Sequence, residues 1–437
     1  MCDGGQLCYI TSNKWMRSKY GKPLRKLLLD VVTIEQLIDF GESPIFESAT
    51  TYTNVMLLTK SVLKGKPKVS DITQIYKPEL SLEAMIVERG KQVSYFSDDG
   101  FLIVDKIVGE IKEKIESIGV PLKGWNASIS YGIKIGLNDA FVIDGKTKNE
   151  LVSLDPKSIE IIRAVLRGRD IKRYNASFAD TWLIDTHNGD GDTPAINIEK
   201  YPAVKKHLDK YWDKIGSRQD KGVTPYNLRS CAYHHEFENE KVLWLEMSPV
   251  PNFFYESGTT FVLNTAYILT GDSLKYLLAV LNSSVLNFYF PMISTDIRGG
   301  TRRYTKQYVE KLPIPRIDES SERIFEQLVD LIQLANHQDD GKYTAIAHFF
   351  EELVDACVFE LYFSVHMSER NLLFIKDIDK ILADSTLKSS KIEQQLETLT
   401  KIYQTINAPD HAIRNRLLRL TADSPELLAV IKQEGRV

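Results

Sequence analysis

The sequence predicts a mixed α/β and α+β chain: the closing strands of an open α/β sheet, then a strand-rich domain, then a helical tail. Three observations carry this. Alternating apolar residues begin almost at Met1, short apolar runs broken by Gly, Asn, Asp and Pro fill 119–317, and helical spacing takes over from 318. At 437 residues the chain exceeds what one hydrophobic core serves. The expected divisions are 1–65, a connector at 66–118, the strand-rich domain at 119–317 and the helical region at 318–437.

Taking the elements in order, 6–12 reads as a buried strand and 21–30 as a helix with Leu24, Leu27 and Leu28 on one face. Strands follow at 34–40 and 52–59. Three strands and one helix bury too little apolar surface to stand alone, so they read as the last third of a sheet whose earlier strands lie elsewhere. Residues 64–100, rich in Lys, Ser and Gly, suit a connector. A helix over 105–118 places Ile107, Ile111 and Ile115 on one face. Strands are expected at 140–143, 181–184, 241–246 and 266–269, with helices at 205–215 and 274–288. The tail predicts helices over 323–335, 345–363, 387–404 and 410–420.

The composition, 43% hydrophobic and 26% charged, excludes wholesale disorder. A net charge of −4 argues against a general nucleic-acid binder, but acid outweighs base only in 318–437, and 116–317 is mildly basic. Cys2, Cys8, Cys231 and Cys357 form no paired pattern, which fits a reducing cytoplasm. No run approaches eighteen apolar residues, so no membrane association is expected.

Two basic segments stand out. In Leu166-Arg-Gly-Arg-Asp-Ile-Lys-Arg-Tyr174, Gly168 separates Arg167 from Arg169, and Lys172, Arg173 and Tyr174 follow. Arginines on a short bent segment suit bidentate contact with phosphates or guanine edges; a surface Arg–Asp170 pair is the plain alternative. In the second segment Arg298, Gly299, Gly300, Arg302, Arg303, Tyr304 and Lys306 combine a hinge, cations and a stacking ring. Lys134 and Asn138 sit on another Gly-bounded turn. Together these tilt the strand-rich domain toward nucleic acid.

Other constellations are weaker. Asp185 before Gly189 and Gly191 imitates a cofactor loop, but Asp190 puts negative charge where a phosphate would sit. Cys231, His234 and His235 lack a fourth ligand at structural-zinc spacing. Asp99 with Glu110 and Lys112 matches the bare spacing of a Mg²⁺-dependent nuclease, yet Glu110 and Lys112 fall on an apparent helix.

The ordered set Gly132-Ile-Lys-Ile-Gly-Leu-Asn-Asp-Ala-Phe141, Leu166 to Tyr174, Lys200-Tyr-Pro-Ala-Val-Lys-Lys-His-Leu208, Arg218 to Gly222 with Pro225 to Arg229, Lys241-Val-Leu-Trp244, Leu277 to Ser283 and Tyr308 to Pro315 resembles the TaqI-like C-terminal specificity domain of type IIG restriction–modification enzymes and related adenine methylases. Glu352 to Tyr362 resembles the helical segment that often follows it. Gly5 to Asn13, Tyr20 to Arg25 and Phe46 to Thr50 resemble the Rossmann-like methyltransferase domain beyond its catalytic motif. The resemblance implies double-stranded DNA as partner and S-adenosylmethionine as the complete enzyme's cofactor. No two prolines are adjacent in the sequence, so the family's Asn-Pro-Pro-Tyr loop, which holds the flipped adenine, is absent. The cofactor loop and any nuclease motif are missing too. We therefore expect no catalytic, cofactor-binding or metal-binding residue here, and a partner chain or upstream domain that supplies them. Lys134, Asn138, Arg167, Arg169, Lys172, Arg173, Arg298, Arg302, Arg303, Tyr304 and Lys306 are the expected DNA-contacting set. The competing expectations are a protein-interaction subunit without a DNA role, and a stand-alone nuclease using Asp99, Glu110 and Lys112.

Overall fold

The computed structural model describes residues 1–41, 43–46, 51–61, 66–73, 75–189, 193–294, 296–297, 300–383 and 391–434. Arg298, Gly299, Gly191, residues 47–50 of the methyltransferase-like match and the start of the helix expected at 387 lie outside them. The chain divides into two compact units, one of 1–117 with 289–295, the other of 118–288 with 296–437.

In the first unit, strands β1 (Gln6–Ser12), β2 (Thr33–Asp39), β3 (Thr53–Thr59) and β4 (Lys68–Asp71) form a sheet in the order β1-β3-β2-β4. β3 is antiparallel to both neighbours, and β4 is parallel to β2. The stretch expected to be a connector thus supplies the fourth strand. It continues into helix α2 (Leu82–Arg89) and a hairpin of β5 (Gln92–Phe96) and β6 (Phe101–Asp105). β1 was expected to be buried. It lies instead at the sheet edge with Leu7, Tyr9 and Ile10 40–56% exposed.

Helix α1 (Lys22–Val31) is also turned from the expected face. Leu28 is buried, but Leu24 and Leu27 are exposed, because Arg25 points inward. Its guanidinium donates to the carbonyls of Asp98, Ser18 and Trp15, satisfying one buried and two partly buried acceptors that an apolar residue would leave unpaired. Helix α3 (Lys106–Ile118) buries Ile111 and Ile115 as expected, while Ile107 is exposed.

The second unit begins with β7 (Gly119–Pro121), β8 (Ala127–Tyr131), a one-turn helix α4 (Asn138–Phe141) where a strand was expected, β9 (Val142–Asp144) and helix α5 (Gly145–Leu154). Then come β10 (Ile162–Leu166), β11 (Ile171–Lys172), β12 (Asn175–Ala176) and β13 (Thr181–Ile184), with helices α6 (Pro202–Asp209) and α7 (Trp212–Ser217). Strands β14 (Lys241–Leu245), β15 (Met247–Ser248), β16 (Phe253–Glu256), β17 (Phe261–Val262) and β18 (Ala266–Gly271) follow. Two four-stranded sheets result, β17-β10-β13-β9 and β16-β14-β18-β8. Side chains from both, among them Val165, Leu183, Leu243, Phe261 and Ile268, share one buried core.

Helices α8 (Leu274–Leu281) and α9 (Ser284–Ile293), strands β19 (Asp296–Ile297) and β20 (Thr301–Arg303), helix α10 (Lys306–Val309) and β21 (Pro313–Pro315) lead to the tail. β21 pairs with β7. The tail is helical as expected, with α11 (Glu319–Asn336), α12 (Gly341–Glu369), α13 (Ile375–Ala383), α14 (Ile392–Ile406), α15 (Ala412–Arg419) and α16 (Leu428–Glu434). No single helix among the described residues is long and apolar enough to cross a membrane.

Candidate nucleic-acid interface

The first basic segment is a tight turn built from its own charges. Arg167 donates from its backbone N–H to Asp170 Oδ2 (2.9 Å) and from Nε and Nη2 to both carboxylate oxygens (2.8 and 2.9 Å). Burial pushes the Asp170 carboxyl up, but the Arg167 guanidinium and N–H hold it below the usual carboxylate range. Gly168 packs on β14, where a Cβ would lie 2.3 Å from Leu245 Cδ1, so a larger residue fits only if that side chain moves aside. Arg169 and Lys172 project into solvent. Neither side chain makes an ion pair or hydrogen bond among the described residues.

Arg173 turns inward. Its Nε donates to Glu351 (2.6 Å) and its Nη1 to the Asn282 carbonyl, tying the hairpin of β11 and β12 to α12. Burial opposes its charge, but Tyr174, Glu351 and Asp355 outweigh that and raise its pKa. Tyr174 is 1% exposed, in the left-handed region at φ 53°. Arg173 and Tyr174 therefore present little to a ligand, and the Arg167–Asp170 pair is the plain alternative raised from the sequence.

In the second segment β20 pairs with β15, Arg303 opposite Met247 and Arg302 opposite Ser248. Tyr304, expected to offer a stacking face, is 3% exposed. Its N–H donates to Glu246 O (2.8 Å), its carbonyl accepts from Trp244 Nε1 (2.7 Å), and its ring lies edge-on to Phe253. That ring cannot stack on a base without unpacking the core. Arg302 is half-buried, with Nη1 3.5 Å from Pro249 O. Arg303 is exposed, 4.0 Å from Glu246. Lys306, exposed at the start of α10, reaches Ile129 O (2.9 Å) on β8.

Both segments thus meet one short stretch: Gly168 packs on Leu245, Tyr304 bonds Glu246, and Arg302 and Arg303 flank Ser248 and Met247. Lys134 and Asn138 lie on the turn after β8. Lys134 pairs with Asp220 (3.1 Å), which also holds Arg229 (3.1 Å); the carboxyl of Asp220 is depressed, first by its hydrogen bond from Lys134. Arg218, buried beneath, donates to Ile135 O (2.6 Å) and Pro225 O (3.1 Å), and joins the two turns. Burial pushes its pKa down to about 10. Asn138 is exposed. One residue escaped sequence reasoning: Tyr131, 49% exposed at the end of β8 and packed on Tyr267 (4.6 Å). Its only signal was an aromatic just before Gly132, which approaches Leu263 too closely to carry a side chain.

The other constellations resolve differently. Asp99, Glu110 and Lys112 are engaged separately, with Lys22 (3.1 Å), Lys106 (3.4 Å) and Glu116 (2.7 Å), and Glu110 and Lys112 lie along α3. Asp185 and His234, from the two segments that only imitate a cofactor loop and a zinc motif, hydrogen-bond to each other at 3.0 Å. Among the described residues no group of His, Cys, Asp or Glu is arranged to hold a metal ion.

Comparison with known proteins places these features. Residues 163–314 match the TaqI-like C-terminal specificity domain, and 1–46 match the Eco57I restriction-modification methylase. The chain is 22% identical to the type II methyltransferase M.BstVI of Geobacillus stearothermophilus over 86% of its length, 21% to M.XhoI of Xanthomonas vasicola over 72%, and 22% to M.PaeR7I of Pseudomonas aeruginosa over 75%. It spans 67, 60 and 58% of those proteins in turn. Among solved structures, 92% of the chain aligns with half of the type IIL restriction-modification enzyme MmeI, determined in complex with DNA, at 13% identity and a TM-score of 0.51. With a TaqI-like specificity domain behind an Eco57I-like methylase segment, the chain is a relative of the type II methyltransferases of restriction–modification systems.

Proposed function

We propose that this chain is the DNA-recognition portion of a type IIG-like, adenine-N6-specific methyltransferase, and that it does not transfer methyl groups by itself. The observation that carries the reading is the specificity-domain match over 163–314, which contains both basic segments and their meeting point at 245–248. Exposed Arg169, Lys172 and Arg303, with Lys134, Asn138, Lys306 and Arg298, are the proposed contacts to double-stranded DNA. Four or five phosphate contacts give a slope of log K against log salt of about −4.

S-adenosylmethionine is the cofactor proposed for the complete enzyme. The Gly-bearing turn at 185–189 spends Asp185 on His234 and the Gly189 N–H on His187, which supports a cofactor held outside it. The free edge of β1, exposed on both faces, is where a chain or domain carrying the cofactor and Asn-Pro-Pro-Tyr loops would add strands. The test uses labelled S-adenosylmethionine and duplex DNA. The chain alone binds DNA without transferring label, and transfer follows addition of a polypeptide bearing those loops. Transfer by the chain alone, or failure to bind any duplex at low salt, refutes the reading.

A further inference from the structure

A polar cavity of about 150 Å³ opens in the second unit, lined by none of the residues proposed to contact DNA. Its lining includes Glu160, Arg163, Asp185, His187, His234 and Glu238. The hydrogen bonds fix much of its chemistry. His234 Nε2–H donates to both oxygens of the buried Asp185 carboxylate at 3.0 Å, leaving its Nδ1 for other partners. Gly189 N–H donates to His187 Nδ1 (3.1 Å), which must therefore be unprotonated, so His187 is neutral and carries its proton on Nε2. The two rings lie 4.8 Å apart.

His187 thus keeps its proton on the nitrogen left open to a ligand, and no group of His, Cys, Asp or Glu among the described residues is arranged to hold a metal ion. The side chain of Arg163, from β10, makes no hydrogen bond or ion pair among the described residues and acts electrostatically on both histidines. Of the carboxylates, Asp185 is taken by His234 and Glu160 accepts from the Tyr201 hydroxyl (3.0 Å). Glu238, which also acts electrostatically on both histidines, has no hydrogen-bond partner among the described residues. The cavity thus offers the Arg163 guanidinium and the His187 Nε2–H as donors, together with one available carboxylate acceptor.

We propose that this cavity is a binding site for a phosphate group that still bears a proton, with Arg163 and the His187 Nε2–H holding its oxygens and Glu238 accepting its P–OH. A carboxylate repels an oxyanion that has no proton to share, so the site rejects sulfate, which is similar in size but fully deprotonated. Burial lowers the pKa of His234, but its hydrogen bond to Asp185 and that carboxylate's charge outweigh this and raise it, so lowering the pH through the histidine range adds a cation in a cavity shared with Arg163, His187, His235, Asp185, Glu160 and Glu238. Phosphate binding strengthens as it does.

Calorimetric titration of the full chain with sodium phosphate and sodium sulfate tests this without DNA, and hence independently of the DNA reading. Phosphate binds at least about tenfold more tightly than sulfate, a discrimination of about 1.4 kcal/mol. Arg163→Met weakens phosphate about tenfold or more at an unchanged melting temperature, and Glu238→Gln brings phosphate and sulfate to near parity. A second arm compares duplexes with and without a 5′-phosphate: if the source is a nucleic-acid end, Arg163→Met removes the difference between them; if it is free phosphate, the two duplexes behave alike. No heat with phosphate, equal binding of sulfate by the unmodified chain, or binding that survives Arg163→Met in a folded variant overturns the proposal.

Discussion

The two basic segments, 167–174 and 301–306, look interchangeable in composition, but the fold uses them differently. In the first, cations alternate between structure and solvent: Arg167 clamps Asp170, Arg169 is exposed, Lys172 is exposed, and Arg173 is bound to Glu351. In the second, the backbone does the anchoring, through the strand pairs Met247–Arg303 and Ser248–Arg302 and the Tyr304 N–H on Glu246 O. A cation recruited into packing is unavailable to phosphate, and its loss costs stability; a solvated cation has the opposite profile. The comparison can therefore be broken by measuring both quantities on the same variants.

The largest expected effect is at Arg173. Arg173→Ala leaves Glu351 and the Asn282 carbonyl without their partner and removes a tie between the hairpin and α12. Breaking such a pair fully buried costs several kcal/mol; with about a third of the Arg173 side chain exposed, a loss of about 2–3 kcal/mol is expected in urea unfolding. Arg303→Ala, 53% exposed at its side chain, shifts stability by no more than about 0.5 kcal/mol. If both variants unfold at the same urea concentration, the division into structural and solvated cations is wrong.

The second effect separates the same residues by binding. Replacing Arg169 and Lys172 together by alanine weakens duplex binding and makes the salt slope shallower by about two, one per lost phosphate contact. The unfolding midpoint does not move. A slope unchanged in fluorescence-anisotropy titrations across a salt series would remove these two residues from the interface.

Much of this architecture was legible in the sequence, because strand alternation and helical spacing are local. β2, β3, β13, β14 and β18 fall where the apolar runs placed them, as do α11, α12, α15 and the described part of α14, while α13 and α16 were not expected. What was not legible depended on partners distant in the chain. An apolar strand reads as buried, yet β1 is exposed along one edge and both faces. Leu24 and Leu27 read with Leu28 as the packed face of α1, yet Arg25 turns in instead to meet carbonyls from two other segments. Tyr304 reads as a stacking ring and is core. Asp185 and His234, 49 residues apart, belonged to two separate weak motifs until the fold joined them. Arg167 beside Asp170 was the exception: both readings were visible, because the pairing spans only three residues.

That local pair gives the smallest effect. The Asp170 carboxyl lies below its unfolded value because Arg167 and a backbone N–H bind its charged form. A depressed carboxyl contributes stability that is fully present above the unfolded pKa, near 3.8, and is lost as the pH falls through the lower folded value. Asp170→Asn removes that contribution, about 1 kcal/mol for a short charge-assisted pair at a partly solvated turn. The variant is therefore less stable than the parent at pH 7, and the gap closes below pH 4, where the parent's Asp170 protonates as well. DNA affinity also responds, but indirectly, since Arg169 sits on the turn the pair holds. It weakens with no change in salt slope, because no phosphate contact is lost. A gap in stability that persists undiminished into acid would show that the carboxylate's charge does not hold this turn, and that Arg167 is free to bind elsewhere.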